Sequence, residues 1–292
     1  MRRRSWSLRQ RATRSAIASG LTLCATLPAV PTASSATQRF AAGISVVDVV
    51  LTPDDSGAYV VHENGSITTY GSARTLGNAP SLRNNERIAA MVTSDGGYLL
   101  VTDHGRAFAY GSAVHHGDLS TLSLNGPIVD AAGVGDHRGY WMLGSDGGVF
   151  SFGSAGFAGS TGNLRLNRPA NGLVPDADGT GYRFVADDGG VFAFDAPFLG
   201  SMGSTALNSP VVGMINYGAG YLMVGSDGGV FTFSDKPFHG SLGGDRSRTA
   251  LFPIVSIAAA TNGSGYVLAR SDGALFPCGP GTPRGLSDAV SG

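Results

Sequence analysis

The heptapeptide GSDGGVF stands at Gly144–Phe150 and again at Gly225–Phe231. Near-copies end at Phe192, as DDGGVF, and at Phe276, as SDGALF. An Asp-Gly pair between apolar runs is a hairpin signal, because the two-residue turn it favours needs positive φ at both central positions. Four copies use Asp-Gly, while Asn64-Gly65 and His104-Gly105 hold the same place in two others. The glycines Gly65, Gly105, Gly147, Gly189, Gly228 and Gly273 are spaced by 40, 42, 42, 39 and 45 residues. A period of this length marks an internal structural repeat.

Other positions recur in phase with that glycine. Seven residues before it stand Tyr98, Tyr140, Tyr182, Tyr221 and Tyr266; the first copy has Ala58 there and Tyr59 next. Three residues after it come Phe108, Phe150, Phe192, Phe231 and Phe276, with Thr68 in the first copy. Five after it stand Tyr70, Tyr110, Phe152, Phe194, Phe233 and finally Cys278. A second glycine follows eleven or twelve after: Gly77, Gly117, Gly159, Gly200, Gly240 and Gly285. Aromatics two apart on a strand share one face, so Phe150 and Phe152 should point inward together.

Each copy reads as four short strands. In the third copy these are Ile128–Ala132, Tyr140–Leu143, Val149–Phe152 and Gly156–Ser160. Strands such as Tyr-Trp-Met-Leu at 140–143 are apolar on both faces and need cover on both sides. A ring of similar units stacked face to face supplies that cover. First strands such as Val129-Asp130-Ala131-Ala132 are small enough for a crowded centre. The expected fold is therefore all-β: a six-bladed β-propeller of about 42-residue, four-stranded repeats. The alternative is two β-trefoils of three copies each, which should show a break between copies three and four. The copies span 44–78, 87–118, 127–160, 169–201, 210–241 and 253–286 within one domain, 37–292.

Residues 1–36 read as a secretory signal: six arginines with no acid, an apolar run from Ala16 to Leu27, then small residues to Ala36. The apolar run is too short for a stable membrane span. Removing the signal leaves 14 basic against 21 acidic residues, a net charge near −7. That balance gives nucleic acid nothing to bind by its phosphates. Cys24 leaves with the signal, so Cys278 should stand alone without an internal disulfide, and its place in the repeat reads as packing. The exported protein, expected to be a monomer, must then rest on its packed core.

The run GYWMLGSDGGVFSFGSAGFAGSTG, Gly139–Gly162, resembles the tandem repeat of secreted actinobacterial proteins written around G-Y-W…S-D-G-G-V-F-x-F-G. The resemblance extends over about Ile44 to Leu286. It implies propeller-like repeats and export, and in that group such repeats often accompany a separate hydrolase or wall-binding domain, of which none is expected within residues 1–292. The signatures of WD-repeat and kelch blades are missing.

In a repeat protein the recurring residues usually build the fold. The turn acids Asp146, Asp188, Asp227 and Asp272 fit either a ring of oxygen ligands or hairpin chemistry alone. Asp176-Ala177-Asp178-Gly179 resembles the start of a calcium loop, but Thr180-Gly181-Tyr182 leads straight into a strand and supplies no closing acid. His115 and His116 are neighbours on one strand and face opposite ways, so they are poorly placed to share a metal. Glu63 and Glu86 are the only glutamates, and no nucleophile elbow or metalloprotease motif occurs. No catalytic residue, metal or cofactor is expected. The connections Leu124-Asn125-Gly126-Pro127, Leu166-Asn167-Arg168-Pro169 and Leu207-Asn208-Ser209-Pro210 recur. Their asparagines either turn the chain by bonding their own backbone or form repeated sugar-binding pockets. The ligand-binding candidates are thus Asn125, Asn167, Asn208, Asp146, Asp188 and Asp227. The expected function is a secreted or wall-associated, non-catalytic binding module for a cell-envelope glycan or an exported protein. The alternatives are an extracellular propeller hydrolase of glycans or esters and a purely structural disc.

Overall fold

The computed structural model describes residues 45–244, 249 and 251–280. The expected signal at 1–36 and the last glycine of the sixth copy, Gly285, lie outside the described residues. Each copy folds into one antiparallel sheet whose strands follow chain order. The sheets are β1–β3 (Val46–Leu51, Gly57–His62, Ile67–Gly71), β4–β6 (Ile88–Ser94, Gly97–Thr102, Ala107–Gly111), β7–β9 (Ile128–Gly133, Gly139–Gly144, Val149–Gly153), β10–β12 (Ala170–Pro175, Tyr182–Ala186, Val191–Phe194), β13–β15 (Val211–Tyr217, Gly220–Gly225, Val230–Phe233) and β16–β18 (Ile254–Ala259, Tyr266–Arg270, Leu275–Cys278).

The first strands pack side by side around an axis, β1 on β4 and onward to β16, and β16 packs back on β1. The same backbone hydrogen bond joins each sheet to the next. At one junction the Ile128 amide donates to the Asp103 carbonyl, while within the third sheet the Ser145 amide donates to the Pro127 carbonyl. At the closing junction the Val46 amide donates to Ser271. This is a β-propeller. Two trefoils are ruled out, because β7 packs on β10 and Ala170 donates to Ser145 as at any other joint.

The middle strands explain why the sheets must stack. Every residue of β8 and of β14 is buried, with Trp141 and Tyr221 wholly inside. The apolar core is accordingly divided into six clusters, one between each pair of neighbouring sheets. Phe150 and Phe152 both join the cluster between the second and third sheets, as their spacing predicts.

Two expectations are corrected. The sheets have three strands, not four: residues 156–160 form no strand. That segment is instead claimed by the next sheet. The Tyr182 hydroxyl donates to the Gly159 carbonyl at 2.5 Å and accepts from the Gly159 amide at 3.1 Å. Secondly, the hairpin is not a two-residue turn. Gly144 donates to Gly148 and Gly147 to Gly144, which closes a three-residue loop, Ser145-Asp146-Gly147. Only the glycine, at φ 79°, is left-handed there. This is a type I turn followed by a glycine bulge, in which one position rather than two needs positive φ. Cys278 packs in the core between the last two sheets.

Candidate functional site in the axial channel and its rim

The axial strands share a device that sequence did not reveal. Each has a register shift near its start, as between Val46 and Asp48 or between Ile128 and Asp130. A bulge leaves a residue out of the ladder and re-aims its neighbours. In four of these strands the fourth residue gives its amide to a polar side chain. Val49 donates to Ser256 Oγ at 3.2 Å, Met91 to Asp48 Oδ2 at 3.4 Å, and Leu173 to Asp130 Oδ2 at 2.5 Å. Ala131 donates to Asp130 Oδ1 at 2.7 Å, and Ser256 Oγ also donates to Asp48 Oδ1 at 3.0 Å. Asp48 thus ties the first sheet to the second, Asp130 the third to the fourth, and Ser256 the sixth to the first.

Both carboxyls sit in an unfavourable place for charge. Burial raises Asp48 to a pKa of about 6, against the pull of Ser256 and the Met91 and Val49 amides. Burial and then the charge of Asp48 raise Asp130 to about 7, against the Leu173 and Ala131 amides. Acids with perturbed pKa values are a recognised mark of functional sites. Neither was singled out from sequence. The available signal was an acid at the third residue of a first strand, where the other copies carry Ala90, Gly172, Gly213 and Ser256.

The residues singled out from sequence lie on the rim, at the face of the hairpins. The carboxylates of Asp146, Asp188 and Asp227 each accept the amide two residues on, from Gly148, Gly190 and Gly229, at 2.9, 3.0 and 3.0 Å. Their geometry is that of the hairpin. Asn125, Asn167 and Asn208 are exposed, and their side chains make no hydrogen bond among the described residues, so they do not turn the chain by bonding it. The hairpins and these connections are neighbours, because Ser145 and Ser226 donate to Pro127 and Pro210. Three consecutive sheets therefore present an exposed amide, a proline and a hairpin acid on one face.

Asp178 closes a local turn with Thr180 through its backbone and hydroxyl, and Asp176 accepts Arg183 at 2.6 Å, so the calcium-like stretch is a polar turn. Among the described residues no three His, Cys, Asp or Glu side chains cluster as metal ligands would. No helix among them is long and apolar enough to cross a membrane.

The fold and the channel define a class, the β-propellers, and the solved structures agree. A chain of a mitotic checkpoint complex is similar with a TM-score of 0.54 at 13% identity, over 82% of this chain and 78% of that one. The β-propeller domain of Cps50 (Swd1) from Myceliophteria thermophila gives 0.52 at 10% identity, over 80% and 81%. The WD40 β-propeller domain of Doa1 gives 0.53 at 13%, over 83% and 95%. At such identity the likeness is one of fold. No family model and no curated protein matches this sequence.

Proposed function

We propose that this chain is a six-bladed propeller with a repeat of about 42 residues that works as a secreted, non-catalytic binding module of the actinobacterial tandem-repeat type. Its target would be a cell-envelope glycan or an exported protein. The observation that carries this reading is the row of exposed side-chain amides at Asn125, Asn167 and Asn208, unengaged by the protein among the described residues, each beside a hairpin acid. A side-chain amide offers a donor and an acceptor together, which suits a sugar hydroxyl or a peptide group. Several weak, similar sites on one rigid disc bind jointly far better than singly. Phe157 and Phe198, 63% and 59% exposed at the outer rim, favour a protein among the targets.

The test is cosedimentation of the purified protein with purified actinobacterial cell wall, with released sugar assayed in the same tube. Saturable pelleting without release, weakened about tenfold or more in the triple variant Asn125→Ala, Asn167→Ala, Asn208→Ala, is the expected result. Absence of pelleting removes the glycan target and leaves exported proteins. A second reading, hydrolysis of glycans or esters, draws support from the Asp48 and Asp130 pair. It requires release of product, abolished by Asp130→Asn.

A further inference from the structure

Four asparagines in this chain precede a glycine: Asn64, Asn125, Asn171 and Asn262. Such a pair can react with itself. The glycine nitrogen, on losing its proton, attacks the side-chain carbonyl carbon. The new N–Cγ bond closes a cyclic imide, and the side-chain nitrogen leaves with a proton as ammonia. Water then opens the ring at either carbonyl. The products are aspartate and its isomer, in which the main chain runs through the side chain. The reaction needs a glycine amide free to give up its proton and a side chain free to fold back on it. Glycine, with no Cβ, leaves that nitrogen open to attack.

Three of the four pairs are locked. At Asn64 the Gly65 amide donates to the His62 carbonyl at 2.9 Å, and Asn64 Oδ1 accepts the Ser66 amide and hydroxyl at 3.0 and 2.8 Å. At Asn262 the Gly263 amide donates to the Ala260 carbonyl at 2.9 Å, and Asn262 Oδ1 accepts the Ser264 amide at 2.9 Å. Asn171 is half-buried on β10, where its Oδ1 accepts the Gly172 amide at 3.1 Å and its Nδ2 donates to the Val211 carbonyl at 3.5 Å. Gly65, Gly172 and Gly263 are also fixed at positive φ, 83°, 33° and 71°. Asn125 and Gly126 share none of this. Asn125 is exposed, Gly126 is not at positive φ, and neither the Asn125 side chain nor the Gly126 amide has a hydrogen-bond partner among the described residues. The repeat supplies a second comparison. Asn167 and Asn208 hold the same place on their connections and are also exposed, but Arg168 and Ser209 follow them, and a Cβ there shields the attacking nitrogen.

We propose that Asn125 is a site of spontaneous deamidation and isomerisation, where, alone among the described asparagines, an open side chain meets an unguarded glycine amide. The change replaces a neutral amide with a carboxylate close to the third hairpin, whose Ser145 amide donates to Pro127. The isomer also adds one main-chain atom just ahead of Pro127 and β7. The rim of the third sheet therefore alters with the age of the molecule. The chemistry requires no ligand, so it stands or falls apart from the binding reading.

Peptide mapping by mass spectrometry tests this on the full chain, held folded in mildly alkaline buffer and sampled over days, beside the same chain in urea. Deamidation reads as a gain of one mass unit. In the folded chain Asn125 is expected to convert first. Asn64, Asn171 and Asn262 should lag by about tenfold or more, because each lock must open before attack. Asn167 and Asn208 should lag as well. In urea the four glycine-linked asparagines should convert at similar rates. Gly126→Ala, whose Cβ would crowd only the Ser145 hydroxyl, at 2.3 Å, should slow Asn125 in the folded chain. An Asn125 that stays intact when folded but converts in urea would overturn the proposal. So would four pairs converting in step in the folded chain.

Discussion

The buried pair Glu86–Arg106 shows what one residue can carry in a molecule of repeats. The Glu86 side chain is fully buried and takes Arg106 Nε at 2.7 Å, its Nη2 at 2.5 Å, the Thr102 hydroxyl at 2.7 Å and the Arg83 amide at 2.8 Å. Burial alone would raise its pKa, but the hydrogen bonds from Arg106, Arg83 and Thr102 and the charge of Arg106 bring it down to about 2. Breaking one side of a satisfied buried pair strands the other, so Glu86→Ala should cost about 3–5 kcal/mol in denaturant unfolding at neutral pH. The contribution of this acid is present above its unfolded value of 4.5 and is lost as pH falls toward about 2. The gap between wild type and Glu86→Gln should therefore narrow in strong acid. At the hairpin, Gly147 stands at φ 79° and an added Cβ would lie 1.9 Å from Thr161 Oγ1. Gly147→Ala should cost about 2 kcal/mol or more in the same experiment, while Asp146→Ala, which loses one half-buried turn bond, should cost about 1 kcal/mol. The sequence made these glycines legible as a turn. It placed the strand of Asp130 at the centre but did not make the side chain's role legible, because nothing local shows that Asp130 takes the Leu173 amide of the next sheet.

At the scale of the element, the joint between sheets is built by two aromatics and one glycine. The tyrosine seven residues before the hairpin glycine donates to the outer glycine of the preceding copy. This occurs at Tyr98–Gly77, Tyr140–Gly117, Tyr182–Gly159, Tyr221–Gly200 and Tyr266–Gly240. The ring five residues after the hairpin glycine lies on that same outer glycine. A Cβ on Gly77 would stand 2.3 Å from Tyr110, on Gly159 2.6 Å from Phe194, and on Gly200 2.3 Å from Phe233. This close approach explains the second recurring glycine, and it explains the missing fourth strand: the outer segment is occupied by the next blade. Tyr182→Phe leaves the Gly159 amide and carbonyl without that hydroxyl and should cost about 1–3 kcal/mol. Gly159→Ala, which must displace Phe194, should cost a similar amount by overpacking. Urea melts of the two variants, with their slope unchanged, would check both. The repeat was visible in one dimension, but a contact between copy three and copy four cannot be read from either copy alone.

At the scale of the whole molecule, the ring has one joint unlike the rest. The first copy carries Ala58 where five others carry the tyrosine, so the joint between the sixth and first sheets lacks that latch. Among the described residues it has the Val46–Ser271 backbone bond common to every joint, Ser256 bonded to Asp48 and Val49, Thr261 donating twice to Asp55 Oδ2 at 2.8 and 2.6 Å, and a core of small residues around Ala58, Ala258 and Ala269. A ring opens where its joint is weakest, so hydrogen exchange should release the amides of β1 and β16 before those of β7 and β10. Uniform protection around the ring would contradict this.

The sequence alone determined that this protein is a tandem array of β units with a hairpin glycine, inward aromatics and strands apolar on both faces. Those features are local and periodic, so they survive without knowledge of any partner. The likeness among copies also placed the exposed asparagines on equivalent connections. Only the tertiary structure decided that the blades have three strands, that the outer glycines serve the neighbouring blade, and that Asp48 and Asp130 meet around one axis. The physical reason is common to all three. Each depends on groups about forty or eighty residues apart being brought within hydrogen-bond or electrostatic reach, and closure of the ring, not the order of residues in any one copy, does that.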